Sequence, residues 1–135
     1  MNYHIYPTTT TGKVTAVASQ TLARAQEFAD AFETIPSSSA YSNYEKVMTD
    51  PNVDVVYIAT LADQHAALAI QSLQHGKPTV VEKPVTLSYQ ETHELIETAD
   101  TQKVFFMYVL FSSSLLLLLC FFFGFGFGRN IDGRA

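Results

Sequence analysis

Between residues 13 and 108 the chain alternates short apolar runs with segments whose apolar positions recur at helical spacing, which predicts repeated β-α units. VTAVAS at 14–19 reads as a strand. Residues 21–32 follow as a helix, with Leu22, Ala25, Phe28, Ala29 and Phe32 on one face and Arg24 and Glu27 outside. Pro36 and the serines at 37–39 end it. Residues 43–48 predict a short helix in which Tyr44, Val47 and Met48 share a face, before an Asp50-Pro51-Asn52 turn. VDVVYIA at 53–59 is β-branched and nearly continuous in apolar character, as expected of a parallel strand covered on both faces. Residues 63–74 then predict a helix with Ala66, Ala69, Ile70 and Leu73 inward, stopped by Gly76, whose missing Cβ suits a left-handed cap. Residues 79–82 form a third strand, Ser88-Tyr89-Gln90-Glu91 a capping box opening a helix to about residue 99, and 104–108 a fourth strand. Four strands separated by helices imply an α/β fold, a doubly wound parallel sheet holding all four.

After Phe111 this grammar stops. SSSLLLLLCFFFGFGFG is low in complexity and has no helical period that leaves a polar face. Residues 105–127 carry no charge over 23 positions, and as a helix they would be about 35 Å long, enough to cross a bilayer. Ser112 to Ser114 interrupt that span, and Lys103 on one side with Arg129 and Arg134 on the other leaves its orientation unset. Three readings of the tail stay open: a shifted reading frame or faulty gene model, a transmembrane helix, or packing against the sheet. The chain thus divides into an irregular segment 1–12, a partial domain 13–111 and an apolar tail 112–135.

At 135 residues the length suits about one domain. The net charge of -5, with eight Lys and Arg residues scattered singly, argues against nucleic acid as a partner. Cys120 is the only cysteine, so no internal disulfide framework exists. MNYHIYPTTTTGK lacks the basic start and apolar run of a secretory signal, so a cytoplasmic location is expected, with the membrane, through the tail, as the alternative. His4, His75 and His93 lie far apart without metal spacing, and no metal site is expected.

One stretch carries chemistry. VVEKPV at 80–85 ends an apolar run with a carboxylate, an ammonium and a proline. Burying either charge alone would cost about several kcal/mol, so Glu82 and Lys83 are expected at a strand's carboxyl end, facing a crevice. Open α/β sheets bind their ligands there. A positioned lysine, its ammonium tuned by partial burial, can stabilise or take the proton of a carbinol hydroxyl as hydride leaves the carbon. The alternative is an exposed Glu82–Lys83 ion pair of little energetic value.

VTAVASQT, YEKVMTDPNVDVVYIATLADQH and HGKPTVVEKPVTLS together resemble the amino-terminal domain of the glucose-fructose oxidoreductase and inositol dehydrogenase (Gfo/Idh/MocA) family, over roughly residues 13–110 and especially in its dihydrodiol and xylose dehydrogenase branch. The resemblance implies a Rossmann-type domain binding NAD or NADP, in enzymes that move hydride between the nicotinamide and a sugar, polyol or dihydrodiol hydroxyl. It implies that Ser19 meets the adenosine ribose, that Thr60 and Leu61 line the nicotinamide side, and that His65 lies near the cofactor. Glu82 and Lys83 would flank the nicotinamide, Lys83 as the catalytic group, with Pro84 fixing the turn. Read from the residues alone, Ser19 could instead cap the following helix, and His65 could be a solvated or capping side chain.

Three departures limit the transfer. The G-x-G-x-x-G turn that would receive the pyrophosphate is absent: the first 13 residues hold one glycine, Gly12, and Gly124, Gly126 and Gly128 stand at the wrong end. Gln20 is neither the arginine that reads a 2′-phosphate nor the acid that reads ribose hydroxyls, so NAD and NADP stay equally open. The family's second, substrate-binding domain has no counterpart in the sequence. The expectation is therefore a fragment of a nicotinamide-dependent oxidoreductase that binds NAD or NADP weakly and does not turn over alone. The alternative is a non-catalytic α/β fragment attached to a membrane or a partner.

Overall fold

The computed structural model describes residues 14–31 and 39–109. The segment 1–12, Phe32, Pro36 and the tail 112–135 with its glycines lie outside the described residues. The element order is β1 (Val17–Ala18), α1 (Leu22–Ala31), β2 (Ala40–Tyr41), α2 (Tyr44–Thr49), β3 (Val56–Ile58), α3 (Ala62–Gln74), β4 (Thr79–Val81), α4 (Tyr89–Gln102) and β5 (Phe106–Tyr108). The chain divides into two compact units, Met1–Val53 and Asp54–Ala135.

In the first unit β1 and β2 pair in parallel, Val17 with Ala40 and Ala18 with Tyr41. The Ser19 amide extends the pairing by donating to the Tyr41 carbonyl at 3.1 Å. β2 was not foreseen, because two residues after a serine run leave no apolar alternation to read. Thr21 Oγ1 accepts from the Arg24 amide at 3.4 Å, so Thr21 rather than Ser19 caps α1. Only Ala25 and Ala29 of α1 are buried, against Ala40 and Val17. Leu22 and Phe28, expected inward, are 45% and 37% exposed. The two alanines let the helix lie close to a sheet two residues wide, and such a narrow sheet covers only that stripe. Asn43 caps α2 by accepting from the Glu45 amide at 2.9 Å, and Met48 is its buried residue.

In the second unit β3, β4 and β5 form a parallel sheet in that order, with Val56, Thr79 and Phe106 in one row and Ile58, Val81 and Tyr108 in the next. Val56, Ile58 and Val81 are buried, but Tyr57 is 57% exposed, so β3 is covered on one face rather than the two expected. α3 buries Ala66, Ala69, Ser72, Leu73 and His65. Thr79 donates its hydroxyl to Ser72 Oγ at 2.8 Å, a buried pair that satisfies both side chains. The helix ends as expected at Gly76, whose φ of 72° belongs to the left-handed region. The Gly76 amide reaches the Leu73 carbonyl at 2.8 Å and the Lys77 amide reaches that of Ser72 at 3.1 Å, so two end carbonyls are satisfied. α4 begins on the foreseen Ser88–Glu91 capping box and runs beyond the expected residue 99 to Gln102.

These pairings correct one expectation. Each foreseen strand pairs in parallel with its own neighbours, but the four fall in two sheets, not one: β1 pairs with β2, and β3, β4 and β5 form the other sheet. The orders β2-β1 and β3-β4-β5 correspond to the neighbours 3-2 and 4-5-6 of the doubly wound order 3-2-1-4-5-6. In that order strands 2 and 4 never pair, because strand 1 lies between them, and strand 1 has no counterpart among the described residues. Of the membrane-span reading of 105–127, only the start is described: Phe106–Tyr108 is β-strand, residues from 110 onward lie outside the described residues, and no helix among the described residues is long and apolar enough to cross a membrane.

Candidate functional site

Parallel strands all end at the same edge of their sheet, so the segments that follow β3 and β4 emerge side by side. The ladder continues past β4, where the Glu82 amide donates to the Ile58 carbonyl at 3.0 Å. This brings together Thr60, Leu61, His65, Glu82, Lys83 and Pro84, six of the seven residues singled out from the sequence. Ser19 belongs to the other unit, after β1.

The six differ in exposure. Lys83 and Pro84 are exposed, Glu82 and Thr60 are half-buried, and Leu61 is 65% exposed at the start of α3, where no side chain caps the helix. The partial burial expected to tune Lys83 is thus not supplied by the described residues. The Lys83–Pro84 peptide bond is cis. His65 is 2% exposed, and both its ring nitrogens face backbone carbonyls: Nδ1 lies 2.7 Å from Pro84 O and Nε2 lies 3.1 Å from Thr60 O. It is neither solvated nor a cap.

The Glu82 carboxylate is held from two sides. One oxygen accepts from the Tyr57 hydroxyl, and the other accepts from the Lys83 amide at 3.4 Å. Tyr57 was missed in the sequence, although it was legible as the one hydroxyl inside the apolar run VVYIA. Further along, the Leu87 and Ser88 amides donate to Glu91 Oε2 at 2.8 and 3.1 Å, which ties the loop to the first turn of α4.

A parallel α/β arrangement with charged and polar groups gathered at the carboxyl edge of its strands is what dinucleotide-binding oxidoreductases share, and a family model described as an oxidoreductase family with an NAD-binding Rossmann fold matches residues 2–110. The chain belongs to the Gfo/Idh/MocA oxidoreductase family. Among its relatives is the trans-1,2-dihydrobenzene-1,2-diol dehydrogenase of Mus musculus, 42% identical over 100 residues that make up 74% of this chain and 29% of that protein. The Homo sapiens enzyme of the same name is 37% identical over the same shares. The chain therefore spans less than a third of the length of these relatives. Among solved structures, KijD10, a 3-ketoreductase from Actinomadura kijaniata in complex with NADP, superposes with a TM-score of 0.64 at 28% identity, over 71% of this chain and 29% of that one. An NAD binding oxidoreductase from Klebsiella pneumoniae gives 0.66 at 28% identity, over 72% and 25%.

The residues present fit one end of such a cofactor. The strand-end loops of β3 and β4 offer exposed Leu61, Lys83 and Pro84 beside an uncapped helix start. The pyrophosphate end is different. Gly76 is the one glycine among the described residues, and it terminates a helix instead of forming a phosphate-binding turn.

Proposed function

We propose that this chain provides the nicotinamide side of an NAD(P)-dependent oxidoreductase acting on a sugar, polyol or dihydrodiol hydroxyl, and that it does not turn over without the regions its relatives have beyond it. The observation that supports this reading is the pair of strand-end loops, 59–61 and 82–84, tied together at the carboxyl edge of adjacent parallel strands with Lys83 exposed between its anchors. Bound NAD or NADP would supply the hydride acceptor. Lys83 holds or takes the proton of the substrate hydroxyl while the carbon gives up hydride, Glu82 fixes the start of the loop, and Leu61 and Thr60 present the wall against which a flat ring can lie. Ser19, in the first unit, is assigned to the adenosine ribose. Without a glycine turn the chain alone should hold NAD or NADP only at roughly high micromolar Kd or weaker, read by titration calorimetry.

The decisive test joins this chain's residues 59–109 into a full-length relative and replaces Lys83 with methionine. Methionine keeps much of the apolar stem and removes the ammonium, so kcat should fall by roughly 10² or more. Turnover at the parent rate would leave Lys83 with no chemical role.

A further inference from the structure

We infer that His65 is a positioning residue, a brace that pins the loop after β3 to the loop after β4, and not a group that touches the cofactor. The inference deepens the reading of Lys83 just given and rests on it for its functional meaning, though its geometry stands alone. His65 projects from the first turn and a half of α3 and is 2% exposed. Its Nδ1 sits 2.7 Å from the Pro84 carbonyl and its Nε2 3.1 Å from the Thr60 carbonyl, so neither ring nitrogen is left over for a ligand. One imidazole thereby links three pieces of chain: the helix that carries it, the turn after β3, and the turn whose preceding residue is Lys83. A neutral ring donates from one nitrogen and an imidazolium from both, so the number of carbonyls satisfied depends on the protons the ring carries.

The site of this tie matters because of the anchors around it. The loop is fixed at its start by the Glu82 amide on Ile58 and at its end by the Leu87 and Ser88 amides on Glu91. Lys83 and Pro84 lie between these anchors, and His65 holds the loop there from α3. An ammonium on a flexible side chain is useful only if its backbone is fixed, since small misplacements of a reacting group are costly in rate. His65 supplies that fixity without approaching the reacting atoms.

Hydrogen–deuterium exchange of the full chain, with no cofactor or substrate added, tests the brace. His65→Phe keeps a buried ring and removes both polar contacts, so exchange at the amides of residues 59–61, 83 and 85–87 should rise about tenfold or more, while residues 92–101 in α4 keep their protection. His65→Gln, whose amide nitrogen reaches one carbonyl, should restore protection in part, and in one of the two loops more than the other. Exchange that rises equally through α3 and α4 in both variants would make His65 mere core filling and overturn the inference. Unchanged exchange in the loops, or identical behaviour of the two variants, would do the same. Because no turnover is measured, a silent Lys83→Met chimera would remove the catalytic reading and leave the brace standing.

Discussion

The two units place their helices on very different ground. In the first, α1 rests on a strip of Ala25, Ala29 and Ala40 with Val17 beside it, and Leu22 and Phe28 are left exposed. In the second, Leu73 and Leu95 are buried almost completely, with Val56, Ile58 and Val81 of the sheet. A fully buried leucine contributes about 1.5–3 kcal/mol by removal from water, whereas a methyl-sized side chain contributes about 0.8 kcal/mol. The unit with the larger core is also the one whose strand-end loops are fixed by side-chain hydrogen bonds. Precise positioning of reacting groups requires a rigid base, and the chain concentrates both in the same place.

The strongest challenge to that contrast is a pair of core truncations. Leu73→Ala should cost about 2–5 kcal/mol, read as lost amide protection in α3, because it opens a cavity at a fully buried position. Ala29→Gly in α1 should cost only about 1 kcal/mol, mostly backbone entropy. Equal losses would mean that the alanine strip bears as much of the fold as the leucines do. Next in size, Ser88→Ala removes the hydroxyl that accepts from the Glu91 amide at 3.2 Å and should cost about 1 kcal/mol, seen as faster exchange confined to the first turn of α4.

The smallest expected effect lies in the first unit. Partial burial, then the hydrogen bond to Asp50 and that carboxylate's charge, hold the Tyr41 phenol above its ordinary value of 10.0. The fold thus favours the neutral phenol. Its contribution to stability is whole below pH 10.0 and is lost as pH rises through the raised value. Asp50→Asn should bring Tyr41 part of the way down, leaving the share due to burial, as measured by tyrosinate absorbance against the matching Tyr41→Phe variants. No movement would show that burial alone sets the shift.

The contrast between the units also marks how far the sequence could be read. β3, β4 and the caps of α3 and α4 were legible, because β-branched runs, a capping box and a glycine stop are local signals that tertiary packing did not override. In the first unit the helical face was drawn too wide, since periodicity identifies apolar positions but not how much sheet exists to cover them. β2 carried no signal in its two residues. At the site, Glu82 and Lys83 followed from strand-end logic, whereas Thr60, Leu61, His65 and Pro84 came from the family resemblance. The contacts of His65 could not have been read, because both its partners are backbone carbonyls, which any residue type would present.

Glu91 gives the loop beside Lys83 a particular kind of motion. One carboxylate oxygen receives the amides of Leu87 and Ser88, and the Glu91 amide returns to the Ser88 hydroxyl. Fraying of the first turn of α4 therefore releases the loop's carboxyl end, and an outward excursion of that end must first break its bonds to Glu91. The helix start thus acts as a latch on the loop that carries Lys83.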